Sequence, residues 1–297
     1  MNARYTRRAF LTRLAQWATA ALLPWVPARG VLATPLGGPA GIQLHAVKDE
    51  LRAHPEATLA ALRKIGFGEV ETAGFGALTA QQFRRLLDGA GLACPSAHLQ
   101  FDSANPEAAF EEAHALGAHY ATSGSLRAML GPAVQGAHGM SLDEAQRTAE
   151  LAGRIGAAAR RAGLQYVYHN HDFEFADQGG GAIGYEVLLK ETDPEFVQFE
   201  IDCGWMVIGG RNPRDYFERY PGRFPMMHVK DFVPSATHAA PPAGAELGHG
   251  MIDYAPIFAA AEKSGLKHYF AEQEGPFTRM TQLQAAQQAF DYLRKLH

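Results

Sequence analysis

The sequence predicts an α/β protein folded as a closed, eight-stranded parallel β/α barrel. From Gly41 onward, short apolar runs alternate with longer stretches of helical period, each pair filling roughly the 30 residues that a strand, a helix and the return require. Such alternation calls for a parallel sheet, and a count of eight units favours closure over an open sheet.

The elements follow in order. Residues 42–46 form the first strand, and residues 55–65 its helix, with Pro55 where the first turn needs no amide donor and Gly66 after the last turn. Strand 69–72 leads to helix 80–90, stopped by Gly91, and strand 93–97 to helix 106–116, opened by Pro106 and closed by Gly117. Strand 119–123 is followed by a Gly-rich loop at 131–139 and the longest helix, 142–162, closed by Gly163. Strand 165–169 precedes helix 185–190, and strand 197–202 precedes helix 213–220, opened by Pro213. Strand 226–230 runs into a second long loop, 233–250, before helix 254–264, stopped by Gly265. Strand 269–272 and helix 283–296 complete the count.

The composition suits a packed globular core, with 47% hydrophobic and 20% charged residues and a formal charge of −4. The charge is unevenly spread, because residues 1–33 hold five arginines and no acid, leaving 22 basic against 31 acidic residues and a charge of −9 in the rest. That balance argues against a nucleic-acid partner. The uncharged stretch 14–26, broken by Pro24, falls short of the ~20 apolar residues that span a bilayer. Residues 5–11, YTRRAFL, resemble a twin-arginine export signal, with a small-residue cleavage site at Val31-Leu32-Ala33. Residues 1–33 are therefore expected to be a signal peptide handled by the twin-arginine machinery, and 34–297 a periplasmic or secreted barrel without stable membrane insertion. Its 264 residues sit close to the ~250 typical of the fold. A homo-oligomer is compatible with this reading. Cys94 and Cys203 fall near strands distant around a barrel, so two thiols are expected rather than a disulfide.

In such a barrel the active site lies at the carboxyl ends of the strands. Strand five ends in His169-Asn170-His171, strand six in Glu200-Ile201-Asp202, strand seven in His228-Val229-Lys230, and strand eight runs out through Glu272-Gln273-Glu274. Alternation along a strand puts His169 with His171, Glu200 with Asp202, His228 with Lys230, and Glu272 with Glu274. Imidazoles and carboxylates converging near one axis would be costly without a counter-charge, and a divalent cation supplies one. Mixed nitrogen and oxygen donors suit Mn²⁺, Zn²⁺, Co²⁺, Fe²⁺ or Mg²⁺ without choosing among them.

The stretches IQLHAVKDEL (42–51), YHNHDFEF (168–175), FEIDCGW (199–205) and YPGRFPMMHVKD (220–231), with FAEQ (270–273), resemble the sugar phosphate isomerase/epimerase family of xylose isomerase-like TIM barrels. The resemblance implies metal ligands at His169, Asp202, His228 and Glu272. Sugar epimerases of that group commonly place glutamate at position 169 and use it with the strand-eight glutamate as a two-base pair. It also implies proton transfer through an enolate of a keto-sugar, with Glu272 or His171 as base and Lys230 stabilising the enolate oxygen or exchanging a proton. An ion pair of Lys230 with Glu200 or Glu274 is the structural alternative. Glu71 and His98 are expected to meet substrate hydroxyls or to complete a buried polar network, Trp205 to wall the sugar ring or to pack at the barrel rim, and His45 with Gln43 to touch substrate or fill the barrel. Glu174 is expected to orient His171 or a loop. His249 is expected to contact substrate from its loop or to add a ligand, as in the related endonuclease IV barrels. The leading expectation is a metal-dependent sugar isomerase or epimerase. A lyase eliminating from a 3-keto-glycoside, and a non-catalytic sugar-binding barrel, stand as alternatives.

Overall fold

The computed structural model describes residues 34–102, 106–131, 139–233, 243–275, 277 and 279–296. The expected signal peptide, residues 1–33, lies outside them. Among the described residues no helix is long and apolar enough to cross a membrane.

Strands β1 (Gly41–Gln43), β2 (Glu69–Ala73), β3 (Ala93–Leu99), β4 (Tyr120–Ser123), β5 (Gln165–His169), β6 (Val197–Asp202) and β7 (Met226–Val229) are joined after a short hairpin, β8 (Asp231–Phe232) with β9 (Gly244–Ala245), by β10 (His268–Ala271). β1 to β7 and β10 close into a barrel in which every neighbouring pair is parallel. The helices are α1 (Lys48–Ala53), α2 (Pro55–Ile65), α3 (Ala80–Ala90), α4 (Glu107–Leu116), α5 (Leu142–Arg161), α6 (Gly184–Glu191), α7 (Cys203–Ile208), α8 (Pro213–Arg219), α9 (Tyr254–Ser264) and α10 (Gln282–Leu293).

Two short helices, α1 and α7, escape the sequence reading, and each has a local cause. The first strand stops at Gln43 because its side chain accepts the His45 amide, turning residues 44–47 into a single 3₁₀ turn that leads into α1. His45 is therefore on that turn and not on the strand. α7 begins directly on β6 because the Asp202 side chain caps it. β3 is two residues longer than expected, which brings His98 onto the strand.

Most of the apolar core lies outside the barrel, between strands and helices. Inside, Tyr120, Val167, Met226 and Phe270 form a separate apolar cluster. Lateral pairing sets these next to the polar positions: Glu200 pairs with Met226, and His228 with Phe270. The interior thus has an apolar floor beneath a polar upper layer, as the alternation of side chains along parallel strands requires.

At the mouth, buried Asp231 organises the chain after β9. Its Oδ1 accepts the amides of Phe232 and Ile252 at 3.0 and 3.2 Å, and its Oδ2 those of Gly248 and Gly250 at 3.1 and 2.9 Å. Gly250 is required there, since a Cβ at that position would collide with the Asp231 carboxylate. Asp231→Ala strands four amide donors. It is expected to cost about 2–4 kcal/mol in a urea titration and to open residues 247–252 to hydrogen exchange.

Candidate active site

Register brings the functional side chains into one cluster. His169 pairs with Glu200 across β5 and β6, Asp202 with His228 across β6 and β7, and Gln43 with Glu71 across β1 and β2. The lower layer is a web of two glutamates and three histidines. Glu71 is fully buried; its Oε2 takes donors from His228 Nε2 at 2.7 Å and Gln43 Nε2 at 2.9 Å and lies 3.2 Å from His98 Nε2, while Oε1 accepts from Ser96. Glu200 Oε2 lies 2.9 Å from His98 Nε2, 3.1 Å from His169 Nδ1 and 3.2 Å from His228 Nε2.

Protonation follows from this packing. Burial works against charge on His98, but the Glu71 and Glu200 carboxylates outweigh it and raise the imidazole to about 10. His228, equally buried, is likewise pushed well above the ordinary histidine range by Glu200 and Glu272. His169 goes the other way: burial and then the neighbouring His228 charge hold it well below that range. Burial and Glu71 oppose ionisation of Glu200, yet His228 and His169 bring it down to about 2. The lower layer is therefore charge-balanced, two carboxylates against two imidazoliums.

Above it sit Asp202, Glu272 and Lys230. Lys230 Nζ is 3.0 Å from Asp202 Oδ2, 2.8 Å from Glu272 Oε2 and 2.7 Å from Glu274 Oε1. Burial disfavours its charge, but the three carboxylates overcome this and raise it above the ordinary lysine range. Its backbone is clamped by Tyr254, whose hydroxyl accepts from Lys230 N at 2.8 Å and donates to Lys230 O at 2.6 Å. Asp202 divides its oxygens: Oδ1 accepts the Trp205 amide at 2.9 Å, while buried Oδ2 makes no hydrogen bond of good geometry. Asn170 fixes the strand beneath it by accepting the Asp202 amide at 3.0 Å.

This upper layer suits a cation. Two buried carboxylates face one ammonium, leaving a negative excess. Neutral His169 gives its Nδ1 hydrogen to Glu200, so its Nε2 lone pair faces Asp202 Oδ2 at 3.9 Å. Two lone pairs opposed in a buried site repel unless a positive charge lies between them. A tetrahedral ion with ~2.1 Å bonds holds its donors roughly 3.4 Å apart, close to that gap. Asp202, His228 and Glu272 offer donor atoms within 4.8 Å of one another, as do His98, His169, Glu200 and His228. The two groups meet at His228, whose Nδ1 faces Asp202 and Glu272 while its Nε2 faces Glu71 and Glu200; an ion on the Asp202 side would take the place of the Nδ1 proton, leaving the Nε2 hydrogen on the carboxylates below.

The model of the xylose isomerase-like TIM barrel family matches residues 59–296. The chain belongs to that family. A sugar phosphate isomerase/epimerase structure from Parabacteroides distasonis ATCC 8503 is 26% identical, with a TM-score of 0.68, and the match covers 86% of this chain and 93% of that one. Inosose dehydratase of Lacticaseibacillus casei is 33% identical over 138 residues, 41% of this chain and 44% of that enzyme. Inosose dehydratase of Geobacillus thermodenitrificans is 29% identical over 139 residues, 41% of this chain and 45% of that enzyme. The chain thus spans under half the length of either dehydratase.

In this xylose isomerase-like barrel a cavity of about 250 Å³ opens over the cluster. His45, His98, His169, His171, His228, Lys230 and Glu272 line it, among others. Three expected substrate contacts, Glu71, His249 and Trp205, do not line it. Glu71 is buried beneath the histidines with its oxygens already engaged, and so acts through His228 and His98. His249 is exposed on the turn after β9, its amide bonded to Glu246 O at 2.9 Å, and does not line the cavity. Trp205 is half-buried with its ring 5.1 Å from Lys230 Nζ, walling the ammonium. Lys230 pairs with Glu274, not with Glu200. Sequence reasoning names Glu200 as a carboxylate beside Asp202 and a partner for Lys230 but not as the acceptor of three histidines, and it does not name Tyr254. The even spacing of Glu200 from Asp202 was the available signal for the former, while nothing local marks Tyr254.

His171 sits at the cavity wall with its Nδ1 unbonded, and burial followed by the Lys230 charge lowers its pKa. Its backbone amide donates to Glu174 Oε2 at 2.9 Å, and Tyr168 Oη donates to Glu174 Oε1 at 2.9 Å. Glu174 is wholly buried, which pushes it up to about 8 from 4.5 despite those donors. The folded protein therefore keeps a proton that the unfolded chain releases above about 4.5, so stability falls as pH rises from there to about 8. Glu174→Gln is expected to remove that slope while holding stability near neutral pH, as urea titrations at pH 5 and pH 8 would show.

Proposed function

We propose that this protein is a divalent-metal-dependent enzyme that eliminates a β-substituent from a keto-sugar or related cyclic ketone through an enolate. The observation that carries the reading is the state of the candidate bases at the mouth. Glu272 is locked between Lys230 at 2.8 Å and His228 at 3.0 Å, and His169 is tied to Glu200, whereas His171 is uncharged with a free ring nitrogen.

A divalent ion held by His169, Asp202, His228 and Glu272 would polarise the substrate carbonyl as a Lewis acid. His171 then takes the proton from the carbon beside the carbonyl. The Lys230 ammonium, fixed by Asp202, Glu272 and Glu274, stabilises the oxygen on which charge develops. The bond from the β-carbon to its oxygen breaks, and the imidazolium of His171 returns its proton to the departing oxygen. The products are water or an alcohol and an unsaturated ketone. Epimerisation requires a second free acid across the ring, and the histidine at position 169 is engaged. This favours elimination over the isomerase expectation, and the likeness to inosose dehydratases supports the same side.

The resemblance of residues 5–11 to a twin-arginine signal supports action outside the cytoplasm on an unphosphorylated sugar. Incubation of the metal-loaded protein in heavy water with free, phosphorylated and ring-oxidised sugars tests the reading. Loss of water or alcohol with a new ultraviolet-absorbing enone is expected. Formation of an isomer or epimer without elimination would restore the isomerase reading, and unchanged, deuterium-free compounds throughout would reject both.

A further inference from the structure

We propose that the sugar bound at the mouth carries an apolar substituent, an aryl or alkyl aglycone, which lies in the groove between the β1–α1 and β2–α3 connections. This rests on the elimination reading and names its substrate class. The groove has a volume of about 400 Å³ and shares Ala73, the last residue of β2, with the wall of the mouth. The two spaces meet at that residue and are opposite in character. The mouth is walled by histidines, Lys230 and carboxylates, whereas the groove is walled by Leu44, Leu51, Phe75, Leu78 and Phe83, with exposed Lys48 and Arg52 beside them. Half-buried Phe75 lies 6.1 Å from the buried Phe83 ring and tilted to it by 37°, so that it is backed by an aromatic core. Lys48 stands at the boundary and turns its Nζ to His45 of the mouth at 3.1 Å, away from the apolar wall.

A free sugar presents hydroxyls on every side and gains nothing from such a wall, while a substituted sugar places its ring over the ionic cluster and its apolar part in the groove. The chemistry fits without a co-reactant. With the ketone two carbons from the anomeric centre, the aglycone oxygen is β to it. The C–H bond between them gives its proton to His171, the anomeric C–O bond breaks with its electron pair on oxygen, and that proton completes the released alcohol.

The test compares methyl and phenyl glucosides oxidised to the ketone at C3, with Mn²⁺-loaded protein, following binding and alcohol release. The phenyl compound is expected to show at least a tenfold higher kcat/KM. Phe75→Ala and Leu51→Ala should each erase most of that preference and leave the methyl compound's turnover unchanged, which also reports an intact fold. Equal values for the two compounds, or a preference that survives both substitutions, overturn the groove assignment alone. If neither compound exchanges deuterium or releases alcohol, the proposed function falls, and the aglycone site with it.

Discussion

Asp202→Asn is expected to abolish tight metal binding and to lower kcat/KM at least about 10³-fold, a loss of ~4 kcal/mol of transition-state stabilisation. The fold should survive. Asparagine keeps the oxygen that caps α7 through the Trp205 amide, and it remains a good N-cap. What it loses is the charge on Oδ2, the oxygen facing His169, His228 and Lys230 at 3.9, 3.7 and 3.0 Å. Metal titration beside a thermal melt checks both halves. An unshifted melt with no metal uptake is the expected pair, and full occupancy with full turnover removes Asp202 from the centre.

His171→Asn separates base from ligand. It should lower kcat about 10²–10⁴-fold, the usual worth of a positioned general base, while the variant still binds one equivalent of metal. Deuterium wash-in should fall in parallel with turnover, because the same imidazole takes and returns the proton. Unchanged wash-in would pass the base role to Glu272. The local backbone is insulated from the change, since Glu174 grips residue 171 by its amide and not by its ring.

The barrel was legible because helix punctuation and strand spacing are local. Pro55, Pro213 and the glycines after the helices act within one turn, and the structure ends α2, α3 and α9 where the sequence places them. What stayed hidden depends on single side-chain bonds. The Gln43 acceptor that converts 44–47 to a turn, and the Asp202 cap that starts α7, leave no periodic trace. At the site, even spacing along strands brought out His169, Asp202 and His228, and the structure gathers them with Glu272 and Lys230. Depth within the barrel was not readable. Glu71 and His98 occupy similar strand-end positions, yet one is saturated beneath the histidines and the other reaches the cavity, because β3 extends to Leu99 and lifts His98 above the layer of Ser96. His249 lies away from the cavity because the turn that holds it is shaped by Asp231, 18 residues earlier in the chain, through the amides of Gly248 and Gly250, a long-range pairing that leaves no periodic mark.

Imidazole and carboxylate donors at the ends of β5, β6, β7 and β10 are proposed to share one divalent ion. Mn²⁺ titration followed by pulsed electron paramagnetic resonance tests this directly. One ion per chain is expected, with ¹⁴N couplings from two histidines that drop to one in His169→Ala. An ion that shows no nitrogen coupling, or couplings that His169→Ala leaves intact, would contradict the account.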